Sequence, residues 1–243
     1  MKTKSIIETQ NLTKIYDGQL AVDKLSFHVK EGEIFGFLGP NGAGKTTTLM
    51  MLLGLTEPTS GKARVFEVDP ARYPIKVKSM IGYLQENVGF YRDLNARQSL
   101  NFIADLNNLS SEVQEERIDN ALTTVGLYNE ADKKIGAYSR GMRQKLGIAE
   151  VLVKKPKIAF LDEPTLGLDP DTTHKIIELI ESLSKENNMT VLLSSHLLHQ
   201  VQKICNRIGI MIKGQMVAEG HIDDLAKEKF TLEELYMKYF REA

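Results

Sequence analysis

The sequence predicts an α/β fold, built on one parallel central sheet with an inserted α-helical subdomain, and three observations support it. Four short apolar runs lack polar alternation: "IFGFL" at Ile34–Leu38, "IGYLQ" at 81–85, "IAFLD" at Ile158–Asp162 and "VLLSS" at 191–195. Parallel strands covered by helices on both faces have this pattern. The first run leads into a helical pattern from about Gly44 to Leu53, which makes a strand–helix unit. From about 91 to 155, strand signals vanish and helical periodicity replaces them.

Within that helical stretch, Ser111 reads as the N-cap of a helix whose apolar stripe is Val113, Ile118, Ala121, Leu122 and Val125. The octet "YSRGMRQK" at 138–145 opens another helix, at Arg140, Gly141, Met142 and Arg143, and on the plainest reading its bases are solvated. Near the end, "RIGIMIKGQMVAEG" sets Lys213 and Gly214 between two apolar runs. It reads as a β-hairpin of roughly 12 residues with Gly214 at positive φ. No internal repeat, low-complexity tract or long linker interrupts the pattern.

Composition bounds the function. The chain has 243 residues, enough for one large domain with a sizeable buried interior. With 31 Lys+Arg against 32 Asp+Glu, the net charge of −1 gives no global reason to bind nucleic acid or anionic lipid. A single cysteine, Cys205, excludes an intrachain disulfide and a cysteine-cluster metal site, and reads as a small buried residue. The densest apolar stretch, "LMMLLGL" at 49–55, is too short to span a membrane, and "MKTKSIIETQ" lacks a signal-peptide apolar region. A cytosolic chain is expected.

The strongest chemical signal is "GPNGAGKTTT" at 39–48, a G-x-x-x-x-G-K-[ST] pattern placed between a buried strand and a helix. Gly39, Gly42 and Gly44 let the backbone curl, with Pro40, Asn41 and Ala43 between them, so that successive N–H groups converge on an anion at a helix N-terminus. Lys45 adds a full charge that can reach β- and γ-phosphate oxygens. The Thr46 hydroxyl is placed to ligate Mg²⁺, and Thr47 to bond another phosphate. The plainer alternative is a chance glycine-rich turn.

A second half-site is "IAFLDEP", an apolar strand ending in two carboxylates. Successive strand side chains point to opposite sides, so Asp162 and Glu163 are expected to do different jobs. Asp162 is assigned to Mg²⁺, directly or through water, and Glu163 to accepting a proton from the attacking water. An acidic strand-to-loop boundary is the bland alternative.

These motifs, in this order, resemble the ATP-binding cassette subunits of ABC transporters, over residues 6–219. "GPNGAGKTT" looks like the Walker A loop and "IAFLDEP" like the Walker B strand. "LGLDP" at 166–170 resembles the D-loop, and "SSH" at 194–196 the switch-histidine region. The resemblance implies a P-loop NTPase core with a parallel central sheet, an antiparallel β subdomain and an inserted α-helical subdomain. The chain would be a single ABC ATPase domain over 1–243. The nucleotide-binding core and β subdomain would occupy 1–90 and 156–243, and the helical signature subdomain 91–155. "YSRGMRQK" stands where the family has its signature, usually Leu-Ser-Gly-Gly-Gln followed by Arg-Gln-Arg. Ser139, Gly141, Arg143 and Gln144 agree with that pattern, whereas Tyr138, Arg140, Met142 and Lys145 depart from it.

By resemblance, Ser139 and the Gly141 amide contact the γ-phosphate of ATP held by the Lys45 loop of a second subunit. Tyr16 would stack on adenine, Gln85 would sense Mg²⁺ at the end of its strand and face the membrane part, and His196 would hold the γ-phosphate and orient Glu163 and water. Asp169 would lie across the dimer interface, with a helix cap before Pro170 as the plainer reading. The implied unit is a homodimer or heterodimer of cassettes binding two ATP with Mg²⁺, peripheral on the cytoplasmic face of the membrane through a transmembrane permease. The signature helix and "TLEELYMKYFREA" most resemble the type-two exporter class. The alternative is a soluble ABC ATPase acting on nucleic acid or ribosomes. It would predict coiled-coil insertions, tandem cassettes or a basic face, so no nucleic acid is expected as a partner.

Overall fold

In the computed structural model, which describes residues 5–225 and 231–242, the chain begins with three strands, β1 (Ser5–Tyr16), β2 (Gln19–Leu25) and β3 (His28–Lys30). β4 (Ile34–Leu38) and α1 (Lys45–Leu52) follow as the expected strand–helix unit, then β5 (Ser60–Val65), α2 (Pro74–Met80) and β6 (Ile81–Leu84). The stretch without strands contains α3 (Ala96–Leu106), α4 (Ser111–Thr124), two short 3-10 turns and α5 (Arg140–Val153). The chain then returns to the sheet with β7 (Ile158–Asp162), α6 (Pro170–Asn187), β8 (Thr190–Ser195), α7 (Leu198–Ile204), β9 (Arg207–Ile212) and β10 (Gln215–His221). It ends with α8 (Ile222–Leu225) and α9 (Leu232–Glu242).

Two sheets result. The larger runs β10-β9-β4-β8-β7-β6, parallel except for the antiparallel edge strand β10. In the smaller antiparallel sheet, β1 pairs with β2, β3 and β5. Strand parity divides the apolar side chains between two cores. Ile34 and Leu38 of β4 join the core shared with α3, α4, α5 and α6. Phe35 and Phe37 enter the core shared with α1 and the antiparallel sheet, where their rings lie 5.5 and 5.0 Å from that of Phe27. β7 repeats the division, with Ala159 and Leu161 on one side and Ile158 and Phe160 on the other. This explains the unbroken apolar runs.

Local boundaries differ from expectation at two places. The α4 cap position is Ser110, one residue earlier than Ser111. Gln85 lies beyond β6, which ends at Leu84, and it is exposed. The hairpin turn has Lys213 at φ 48° and Gly214 at φ 83°. Both central residues are therefore left-handed, as a type I′ turn requires.

Candidate active site

The C-terminal ends of β4, β7 and β8 lie side by side in the sheet, and their loops open on one edge. Open α/β sheets bind ligands at that edge. A cleft of about 510 Å³ lies there, lined by Tyr16, Ala21, Asn41, Gly42, Ala43, Gly44, Lys45, Thr46, Thr47, Glu86, Glu163, Leu166 and His196. A second cleft of about 540 Å³, bounded by Arg117, Lys157 and Met189, contains none of the motif residues.

The phosphate loop takes its shape from its glycines. Gly44 has φ 97°, and a Cβ there would fall 2.5 Å from the Ala21 carbonyl oxygen. A Cβ on Gly39 would fall 2.2 Å from the Met211 carbonyl oxygen. Only glycine fits such positions, and the loop is thereby pressed against β2 and β9. Lys45 is 5 % exposed, and its ammonium donates to the carbonyls of Gly39 at 2.7 Å and Pro40 at 3.1 Å. The same nitrogen faces Glu163 Oε1 at 3.4 Å.

Asp162, the last residue of β7, accepts from the Thr46 hydroxyl at 3.2 Å and closely from the Ser194 hydroxyl, both at Oδ1. Its other oxygen, Oδ2, is buried without a hydrogen-bond partner. An unpaired carboxylate oxygen next to a hydroxyl fits a hard cation that prefers oxygen ligands. Asp162 and Thr46 would therefore suit Mg²⁺. Tyr83 on β6 senses the same negative charge: burial first, then Asp162 and Glu86, push its phenol up to about 12.

Glu163 separates from Asp162 by a different device than strand alternation. It has left β7 and turns with φ 47°, a left-handed conformation unusual for a residue with a side chain. Its amide donates to Ser194 Oγ at 3.1 Å, and its carboxylate is buried between Lys45 and His196. His196 Nδ1 lies 2.9 Å from Glu163 Oε2, so with its proton on Nδ1 the imidazole donates to the carboxylate. Ser194 thus holds both carboxylate residues, a role the "SSH" motif alone did not reveal.

Tyr16 is at the end of β1, 42 % exposed on the cleft, with the Lys14 ammonium 4.7 Å from its ring centre. An exposed aromatic ring at the cleft mouth suits stacking. Gln85 does not line the cleft, whereas its neighbour Glu86 does. Ser139, Gly141 and Asp169 also lie outside the lining. Ser139 caps α5, accepting from the Met142 amide at 3.1 Å, and the Arg140 and Gly141 amides fall in the first turn, where a helix has no carbonyl to accept them. Asp169 caps α6, accepting from the Thr172 amide at 3.0 Å, with Pro170 in the first turn.

Comparison with known proteins points the same way. Residues 22–166 match the family described as ABC transporter. The chain is 43 % identical over 223 residues to the bacitracin transport ATP-binding protein BcrA of Bacillus licheniformis, covering 92 % of this chain and 72 % of that one. It is 36 % identical over 220 residues to the linearmycin resistance ATP-binding protein LnrL of Bacillus subtilis (strain 168), covering 90 % and 70 %. Among solved structures, the ATP-binding subunit of an ABC transporter superposes with a TM-score of 0.85 at 28 % identity, covering 97 % of this chain and 99 % of that one. The cassette MJ0796, solved as a dimer in a post-hydrolysis state with ADP and phosphate, gives 0.79 at 25 % identity, covering 88 % and 98 %.

Proposed function

The chain belongs to the ABC transporter family as an ATP-binding subunit with ATPase activity that energises a separate permease, and from that premise we propose how its own residues run the cycle. The observation supporting the proposal most is Glu163, buried between Lys45 at 3.4 Å and His196 at 2.9 Å on the wall of the phosphate-loop cleft.

ATP enters with its adenine on the exposed Tyr16 ring and its phosphates against the amides from Gly42 to Thr47. Lys45 then exchanges its bonds to the Gly39 and Pro40 carbonyls for β- and γ-phosphate oxygens. Asp162 and Thr46 would hold Mg²⁺, which would supply positive charge to those phosphates, and Gln85, exposed just beyond β6, would reach the ion only by turning in from outside the cleft. Glu163 takes a proton from water as the water oxygen bonds to the γ-phosphorus and the bond to the ADP oxygen breaks. His196 fixes the Glu163 carboxylate for that transfer.

Ser139 and Gly141 lie outside the cleft, which supports a second reading of the pair: they serve the nucleotide held by a partner cassette, either a second copy or a related chain, with Asp169 at the same interface. A helix start with a hydroxyl and unpaired amides suits an anion. Closure then requires the γ-phosphate, and hydrolysis releases the dimer.

The helical subdomain, 91–155, would present the signature, and a transmembrane permease would hold the chain at the cytoplasmic membrane face. Among the described residues, no helix is long and apolar enough to cross a membrane. Relatives named for bacitracin transport and linearmycin resistance support an outward direction of transport. The test is Glu163→Gln. The variant should bind Mg-ATP normally, hydrolyse it at least roughly 100-fold more slowly, and accumulate as an ATP-dependent dimer on size exclusion. Turnover near the wild-type rate would remove the role given to Glu163.

A further inference from the structure

Arg140 is the residue at which the signature departs furthest in chemistry, a base where the family pattern has glycine. It is exposed at the first position of α5, and its guanidinium has no carboxylate partner among the described residues. It meets Gly167 instead. A Cβ built on Gly167, which has φ 68°, would fall 2.3, 2.4 and 2.6 Å from Nη1, Cζ and Nη2. The central carbon is as near as the two nitrogens, so the face of the guanidinium meets the glycine, not its edge.

The next residue repeats the contact. A Cβ on Gly141 would lie 2.6 Å from Thr172 Cγ2. Thr172 is fastened to Asp169 through its amide at 3.0 Å and its hydroxyl at 2.7 Å. Between Glu163 and Asp169 the backbone closes two turns, Leu166 N to Glu163 O at 3.1 Å and Leu168 N to Thr165 O at 3.3 Å. The start of the signature helix therefore rests at two points, on Gly167 in the hydrogen-bonded loop whose first residue is the proposed base and on Thr172 in the first turn of α6, which that loop leads into.

We propose that Arg140 is a positioning residue for ATP hydrolysis: its guanidinium, laid over Gly167, fixes the signature start against the loop that begins at Glu163. Engagement of a partner-held nucleotide by Ser139 and Gly141 then sets the geometry of Glu163 in the same subunit. The proposal rests on the reading that Ser139 serves the partner's nucleotide. Residue chemistry fits the task. A guanidinium is planar and weakly hydrated and can stack on a peptide group, whereas a lysine ammonium has no flat face. Glycine at 167 leaves the space that the guanidinium fills.

The test is a double-mutant cycle on the full chain, with kcat and KM for ATP measured for Arg140→Ala, Gly167→Ala and the pair, and with Arg140→Lys beside them. Arg140→Ala should lower kcat roughly 10- to 100-fold, the range expected when a reacting group is misplaced by about 1 Å, with KM little changed. Gly167→Ala should also lower kcat, through strain at φ 68° and through a methyl that evicts the guanidinium, and the second share should vanish once Arg140 is gone, so the losses should be less than additive. Arg140→Lys should not restore the rate. Thermal melts close to wild type separate lost positioning from lost folding; if Gly167→Ala does not fold, kcat and KM of Arg140→Ala and Arg140→Lys carry the test without the cycle.

Wild-type kcat in Arg140→Ala, or strictly additive losses, would overturn the proposal. So would rescue by lysine, which would assign Arg140 a charge contact with phosphate instead. Dimerisation of Glu163→Gln with ATP distinguishes the levels. Without such a dimer, both the partner reading and this proposal fall; with the dimer and an unaffected Arg140→Ala, only the proposal falls.

Discussion

His196 Nδ1 and Glu163 Oε2 lie 2.9 Å apart, joining the end of β8 to the residue that leaves β7 in a left-handed turn. The carboxylate is thus fixed on one side by an imidazole and on the other by Lys45. His196→Ala should lower kcat roughly 100-fold or more while leaving ATP binding nearly intact, because the histidine acts through the base. The double variant with Glu163→Gln should be no slower than Glu163→Gln alone. Independent, multiplying losses in steady-state ATPase assays would break the link.

Tyr16 exposes its ring at the cleft, with the Lys14 ammonium over it. Stacking has little base preference, so Tyr16→Ala should weaken ATP and GTP alike by about 1–3 kcal/mol in equilibrium binding. A loss confined to one nucleotide would mean that the ring is not the principal contact.

Glu150 on α5 provides a pH signature. Burial raises its carboxyl to about 7, opposed by the Ser99 hydroxyl that donates to it at 3.2 Å. A raised carboxyl pKa means that its contribution to stability is fully present below the ordinary value of 4.5 and is lost as pH rises through about 7. Glu150→Gln mimics the protonated form. It should match wild type in urea denaturation near pH 5 and exceed it at pH 8 by on the order of 1–3 kcal/mol. A variant no more stable than wild type at pH 8 would show that the carboxylate is not strained there.

The central sheet was legible because parity in β4, β7 and β8 places apolar residues in two cores at once, which removes polar alternation. The antiparallel sheet was legible only through family resemblance. β1 carries Asn11 at φ 48° and slips register against all three of its partners, so its inward residues do not keep one phase along the strand. At the site, the phosphate loop and acidic pair were readable from spacing, because glycine and lysine requirements are local. The left-handed Glu163, the Ser194 hydroxyl that holds it and Asp162, and the seating of Arg140 on Gly167 depend on residues brought together from distant strands and loops. Gln85 shows the limit of boundaries, since one residue beyond β6 it faces solvent and Glu86 takes the cleft wall.

If Ser139 serves a nucleotide held by another subunit, that nucleotide should label a thiol placed at position 139 in trans. One subunit carries Lys45→Ala and Ser139→Cys, so it offers a thiol but has a disabled phosphate loop. The other is wild type at both positions and carries a tag. The native Cys205 stays silent, being buried with its thiol pushed well above the ordinary value. The two are mixed with an ATP analogue bearing a thiol-reactive γ-phosphate, and the labelled chain is identified by mass. Label is expected on the Ser139→Cys subunit only when its partner is present. Label that requires an intact Lys45 in the same subunit as the thiol, and is absent from the mixture, would contradict it.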